Sequence, residues 1–225
     1  MAKRLIVHTV ISLGVMGALL FVSAGTLAWP AGWVFLAEML GLSLLMGPRL
    51  ARQHPGLVNE RLRAPIQRDQ PPADKVIVSL MLLTIVALLV LAPLDAVRFR
   101  WSSVPLWVQV LGALSLFLAV VLGYWTMYAN SFAAPVVKIQ KDRGQTVADT
   151  GPYSYVRHPM YGSALLFVVG LPLLLGSWWG LLAVPVFAAL LAVRIGIEEQ
   201  ALRQGLAGYD AYTEQVPYRL VPLVW

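Results

Sequence analysis

No cysteine occurs among the 225 residues, and only 12% of them are charged. The first absence excludes disulfides, thiolate metal sites and a cysteine nucleophile together. The second is about half the charged share of an ordinary soluble domain. Histidine is scarce too. His8, His54 and His158 lie far apart in sequence, which argues against a histidine-rich metal site. No internal repeat or low-complexity tract interrupts the chain.

Apolar residues take the place of the missing charge, at 59% of the chain with a mean hydropathy of +0.72. Runs of 18 or more nearly uncharged residues recur, which is the signature of membrane helices. The net charge is +6. In a soluble chain that excess would raise nucleic-acid binding; here it reads as basic loops that set topology, with no nucleic-acid partner expected.

Spans are expected at about Leu5–Ala28, Val34–Met46 (extending toward Leu50), Val76–Val97 and Val104–Tyr128. The first is too long for a signal-peptide core and reads as a retained helix. Pro65 and Pro71-Pro72 argue against one continuous helix through the polar segment that follows the second span. Two shorter apolar segments close the membrane part, about Met160–Leu175 and Leu181–Ile197. They reach roughly 24 to 26 Å and form an expected helical hairpin with Gly176-Ser177-Trp178-Trp179-Gly180 at its tip. With the N-terminus placed in the cytoplasm, 15 of the 17 basic residues fall on that side, and Arg98 and Arg100 fall on the other. The expected class is therefore an all-α polytopic integral membrane protein of about six membrane segments, both termini cytoplasmic.

The chemistry concentrates in the stretch from Gln140 to Arg219. In Gly151-Pro152-Tyr153-Ser154-Tyr155-Val156-Arg157-His158-Pro159-Met160-Tyr161-Gly162, His158 precedes a helix start with Pro159 in its first turn. Free N–H groups there, with Arg157 beside them, would favour an anion; the alternative is an interfacial anchor. Arg194 and Glu198 are one helical turn apart, with Glu199 adjacent. They read either as a surface ion pair or as a cation-binding carboxylate and an arginine facing a cavity. The hairpin would bring His158, Tyr161, Arg194 and Glu198 together, an arrangement suited to a zwitterionic ligand.

On these residues, and on the closing Tyr209…Tyr212…Val216-Pro217…Pro222 tail, the last 90 or so residues resemble the isoprenylcysteine carboxyl methyltransferase family, which is related to the phospholipid methyltransferases. The resemblance implies an S-adenosylmethionine-dependent membrane methyltransferase that releases S-adenosylhomocysteine. Its chain would divide into N-terminal membrane helices (1–130) and a cofactor-binding loop, hairpin and C-terminal cytosolic segment (131–225), integrated in one membrane domain. Carried over, cofactor contacts fall on Gln140, Gln145, Thr146, Val147, Ala148, Tyr153, Arg157, His158, Pro159, Met160, Tyr161, Glu198 and Glu199. The catalytic, substrate-side arginine falls on Arg194. Gln145 stands where relatives often have histidine. The implied partners are the bilayer and a lipophilic or prenylated acceptor entering from it, most simply the carboxylate of an isoprenylcysteine-like substrate. A phospholipid amine or a small thiol is the alternative acceptor. A non-catalytic transporter or scaffold is the alternative class; Glu38, Pro172 and Pro185 are the only features that favour it.

Overall fold

The structure, a computed structural model, describes residues 2–68 and 70–225. Among the described residues there are eight α-helices and no strand. They are α1 (Ala2–Ala24), α2 (Pro30–Gln53), α3 (Pro55–Arg61), α4 (Pro72–Pro93), α5 (Leu106–Ala129), α6 (Pro159–Leu175), α7 (Ala183–Gly205) and α8 (Tyr209–Gln215). A π turn, Leu94–Arg98, prolongs α4, and a 3₁₀ turn, Trp179–Leu182, leads into α7. Prolines open α2, α3, α4 and α6, where the missing N–H has no helical partner to lose. The segment around Pro65 and Pro71 is broken as expected: α3 ends at Arg61 and α4 restarts at Pro72.

Five segments are long and apolar enough to cross a membrane: 3–24, 30–53, 72–98, 106–129 and 179–205. The sixth, α6, has 17 residues. The last segment corrects the expected short hairpin arm: it is helical through Gly205, so it has 27 residues and covers roughly 40 Å. Loss of hydrophobicity at Glu198 marks where the helix leaves the apolar layer, not where the helix ends. Two more turns continue because their inner face is packed, with Gly205 lying tight against Ile139.

Successive long helices alternate in direction, so the start of α1 meets the end of α2, with Gly47 beside Leu5 and Tyr124. The starts of α4 and α6 and the ends of α5 and α7 gather at that same end of the bundle. At the other end lie the turn after α1, the π turn and the hairpin tip. Side by side, α5 and α6 form the closest pair. A Cβ on Gly170 would sit 2.8 Å from the carbonyl oxygen of Gly112, so the two backbones touch through small residues. Ser115 and Ser163 donate across the seam to Leu166 O (2.8 Å) and Ala119 O (2.9 Å). That seam fixes the height of the α6 N-terminus, where His158, Met160 and Tyr161 stand. Between these helices and α1, α2, α4 and α7 a core of fully buried side chains includes Leu20, Phe35, Leu116, Leu171, Leu175 and Leu191.

Candidate functional site

At the end where α4 and α6 begin, the loop 130–158 lies across the helix ends and is held by buried polar contacts. Asp74, with no exposed surface, accepts from Arg194 Nε (3.0 Å), Gln70 Nε2 (2.7 Å) and the Val137 N–H (2.9 Å). Arg61 donates to Ala133 O (2.8 Å), and Lys138 pairs with Glu60. Gln140 donates to Phe132 O (2.7 Å) and receives Arg143, so it braces the loop from behind.

Under this loop runs a cleft. Its walls come from the loop (Gln145, Thr146, Val147, Ala148, Tyr153), from the α6 entrance (Arg157, His158, Met160, Tyr161) and from α7 (Glu198). These are expected site residues, and the fold gathers all of them. Leu202, Leu206, Tyr209 and Tyr212 complete the wall. Three other expected residues stand elsewhere: Gln140 behind the loop, Pro159 buried as the first residue of α6, and Glu199 beneath the floor.

Glu199 is the hub of that floor. It accepts from Arg157 Nε (2.8 Å) and Arg219 Nε (3.1 Å), and His158 Nε2 lies 3.3 Å away. Arg157 also donates to Val216 O and Pro217 O, both at 2.8 Å. Its guanidinium is thus engaged by Glu199 and by two carbonyls of the tail. The same contacts strap the C-terminal tail across the helix entrance, with the Arg157 and His158 amides donating to Tyr218 O (2.9 Å) and Arg219 O (2.8 Å).

Glu198 faces the other way. Tyr161 Oη donates to it, His158 Nδ1 is 3.6 Å away, and its side chain keeps 30% of its surface exposed, toward the cleft. His158 stacks on Tyr161, ring centroids 5.4 Å apart and planes within 9°, which locks both rings. Of the two readings of the Arg194 and Glu198 pair, the intrahelical ion pair is not formed. Arg194 turns instead to Asp74, donates to Pro135 O (2.6 Å) and lies with its guanidinium carbon 5.5 Å from the Tyr161 ring centre.

Behind Tyr161 a second cavity, of about 450 Å³, opens between α4, α5, α6 and α7. Met81, Ile85, Phe167 and Phe187 make its walls apolar, and Arg61 and Arg194 stand at its polar end. Cleft and cavity share Ala134, Met160 and Tyr161. Asp74 and Arg61 escaped the sequence reading. One signal was available for Asp74: an acid at the head of a membrane helix in a basic loop does nothing for topology.

Burial pushes the phenols of Tyr153, Tyr209 and Tyr212 well above their ordinary range, so all three stay neutral. Asn130 donates to Tyr153 Oη (3.1 Å), and Tyr212 Oη donates to Tyr153 O (2.7 Å). Among the described residues the buried hydroxyl of Tyr209 has no partner. Burial lowers the pKa of Arg61, with the neighbouring Arg194 charge adding to the effect.

S-Adenosylmethionine combines an aromatic base, hydroxyls and a cationic, zwitterionic tail. An aromatic wall, an orphaned phenol and one exposed carboxylate fit that set, and among the described residues no group of acids and histidines suits a metal. No curated protein matches the chain. The family model described as phospholipid methyltransferase matches residues 107–207, which run from the first turn of α5 past the end of α7. That stretch contains every cleft-lining residue except Tyr209 and Tyr212. Over those residues, which make up a little under half of the chain and include α5, α6 and α7, the chain is similar to the phospholipid methyltransferase family.

Proposed function

We propose that this protein methylates the carboxylate of a lipophilic, isoprenylcysteine-like acceptor, with S-adenosylmethionine held in the cleft and the acceptor entering the second cavity from the bilayer. The observation that carries this reading is the shared wall: the polar cleft and the apolar, membrane-side cavity meet at Ala134, Met160 and Tyr161. When bound, the cofactor would supply an electrophilic methyl on a sulfonium, transferable to the acceptor oxygen with a thioether as leaving group. No proton has to move, so no general base is required of the chain. Its residues have to align, hold charge and exclude water.

Glu198 stands on the cofactor side, oriented by the Tyr161 hydroxyl, and would hold cationic groups. Arg194 stands on the acceptor side. Its Nε is fixed by Asp74, which leaves part of its fork to grip an anion without collapsing toward Glu198. Arg61 is the stronger clue to acceptor charge. Unlike Arg194 it forms no ion pair among the described residues, having only the Ala133 carbonyl. A cation of that kind beside an apolar cavity favours an acid over an amine. The second reading, a phospholipid amine, is favoured by the name of the family that matches, and the two arginines would then take the lipid phosphate. The basic charge at this end of the bundle supports a cytoplasmic active site and cytoplasmic termini.

The deciding experiment supplies purified protein with methyl-labelled S-adenosylmethionine and, separately, a farnesylated cysteine analogue and phosphatidylethanolamine vesicles. Base-labile label on the cysteine analogue alone supports the ester reading. Label on the phospholipid alone overturns it. S-Adenosylhomocysteine that fails to raise the unfolding temperature of folded protein would overturn the methyltransferase reading and return the transporter alternative.

A further inference from the structure

The bundle end opposite the cleft holds a second buried carboxylate. Asp95 sits in the π turn that closes α4, within an apolar span, and is only 2% exposed. Its Oδ2 accepts from Ser177 (2.5 Å) and Ser102 (2.6 Å). Among the described residues its buried Oδ1 has no donor, and no arginine, lysine or histidine comes within ion-pair distance of it. An intramembrane acid without a counter-charge is costly and marks a place where a partner belongs.

The same side chain lines a crevice of about 980 Å³ between the far ends of α4 and α7. Its walls are apolar, with Leu91, Leu182 and Val186 facing outward and Phe99, Trp101 and Trp179 at the interfacial end. We propose that this crevice binds one aminophospholipid of the far leaflet, its acyl chain along α4 and α7 and its ammonium donating to Asp95 Oδ1. Charge complementarity selects the headgroup. A primary ammonium offers both the missing charge and the missing donor, a choline offers charge without a donor, and a glycerol offers a donor without charge. Arg98 and Arg100 flank Phe99 in sequence, are exposed and form no ion pair among the described residues, so positive charge is at hand for the phosphate of the same headgroup. The tryptophans suit the depth of a headgroup. Because this site lies at the opposite end from the cleft, its lipid is not the methyl acceptor, and the inference does not depend on the proposed reaction.

The test is thermal unfolding and native mass spectrometry of detergent-purified protein with added dioleoyl phosphatidylethanolamine, phosphatidylcholine or phosphatidylglycerol. Phosphatidylethanolamine is expected to raise the unfolding temperature by roughly 2–4 °C over the other two and to give one retained lipid. Asp95→Asn is expected to abolish that difference. Ala87→Phe, which fills the crevice and leaves Asp95 intact, carries the same expectation should the first variant fold poorly. Equal stabilisation by the three lipids overturns the proposal, as does an undiminished preference in Ala87→Phe. Concentration-dependent dimerisation that buries the crevice overturns it too.

Discussion

Arg194 and Glu198 are one turn apart on α7 but point their charges at different partners. Glu198 to Ala removes the exposed carboxylate of the cleft, and S-adenosylhomocysteine affinity is expected to fall about 10- to 100-fold, the loss of one charge-assisted hydrogen bond. Isothermal calorimetry measures it directly. Arg194→Lys keeps a cation near Asp74 but loses the fork. Turnover is expected to drop roughly 10²- to 10³-fold with S-adenosylhomocysteine affinity within about threefold of wild type. An Arg194→Lys enzyme with near-normal turnover would remove that residue from the acceptor site. Asp74→Ala leaves Arg194 buried and unpaired, so it should cost about 3–5 kcal/mol of stability. Loss of activity in that variant therefore has to be read beside its melting curve.

At the scale of the element, α6 is short and depends on α5 for its position. Gly170→Ala forces a Cβ to within 2.8 Å of the Gly112 carbonyl, and Gly112→Ala drives one into the Leu173–Leu174 backbone. Each is expected to cost about 1–3 kcal/mol, read as a lower unfolding temperature. Cofactor affinity should fall with it, because the seam sets where Met160 and Tyr161 stand. The elements themselves were legible in sequence: apolar runs marked the spans, Pro65 and Pro71-Pro72 the break before α4, and Pro159 the start of α6. The end of α7 was not. Hydrophobicity reports where a helix leaves lipid, and the last two turns stay helical through packing on Ile139 and the loop. The π turn after Pro93 was also hidden, since a one-residue widening leaves no periodic trace in a uniformly apolar run.

At the scale of the whole molecule, the absence of cysteine makes topology easy to test. Single cysteines at Asp142 or Leu223 are expected to react with an impermeant maleimide only from the cytoplasmic side. One at Arg100 is expected to react only from the opposite side, and the reverse pattern would place the cleft on the other face. Composition and charge by themselves determined that this chain is a helical membrane protein with its basic residues at one end, because transfer from water to hydrocarbon is a property of each segment alone. The motif at Arg157–Tyr161 and the Glu198-Glu199 pair pointed to a loop and two helix ends, and the fold brings these together around the cleft. Tertiary structure decided which member of each pair meets the cleft and which holds the floor. It also brought Asp74 to Arg194 across 120 residues of sequence. Partnership between buried charges depends on which helices end up side by side, and no local pattern records that.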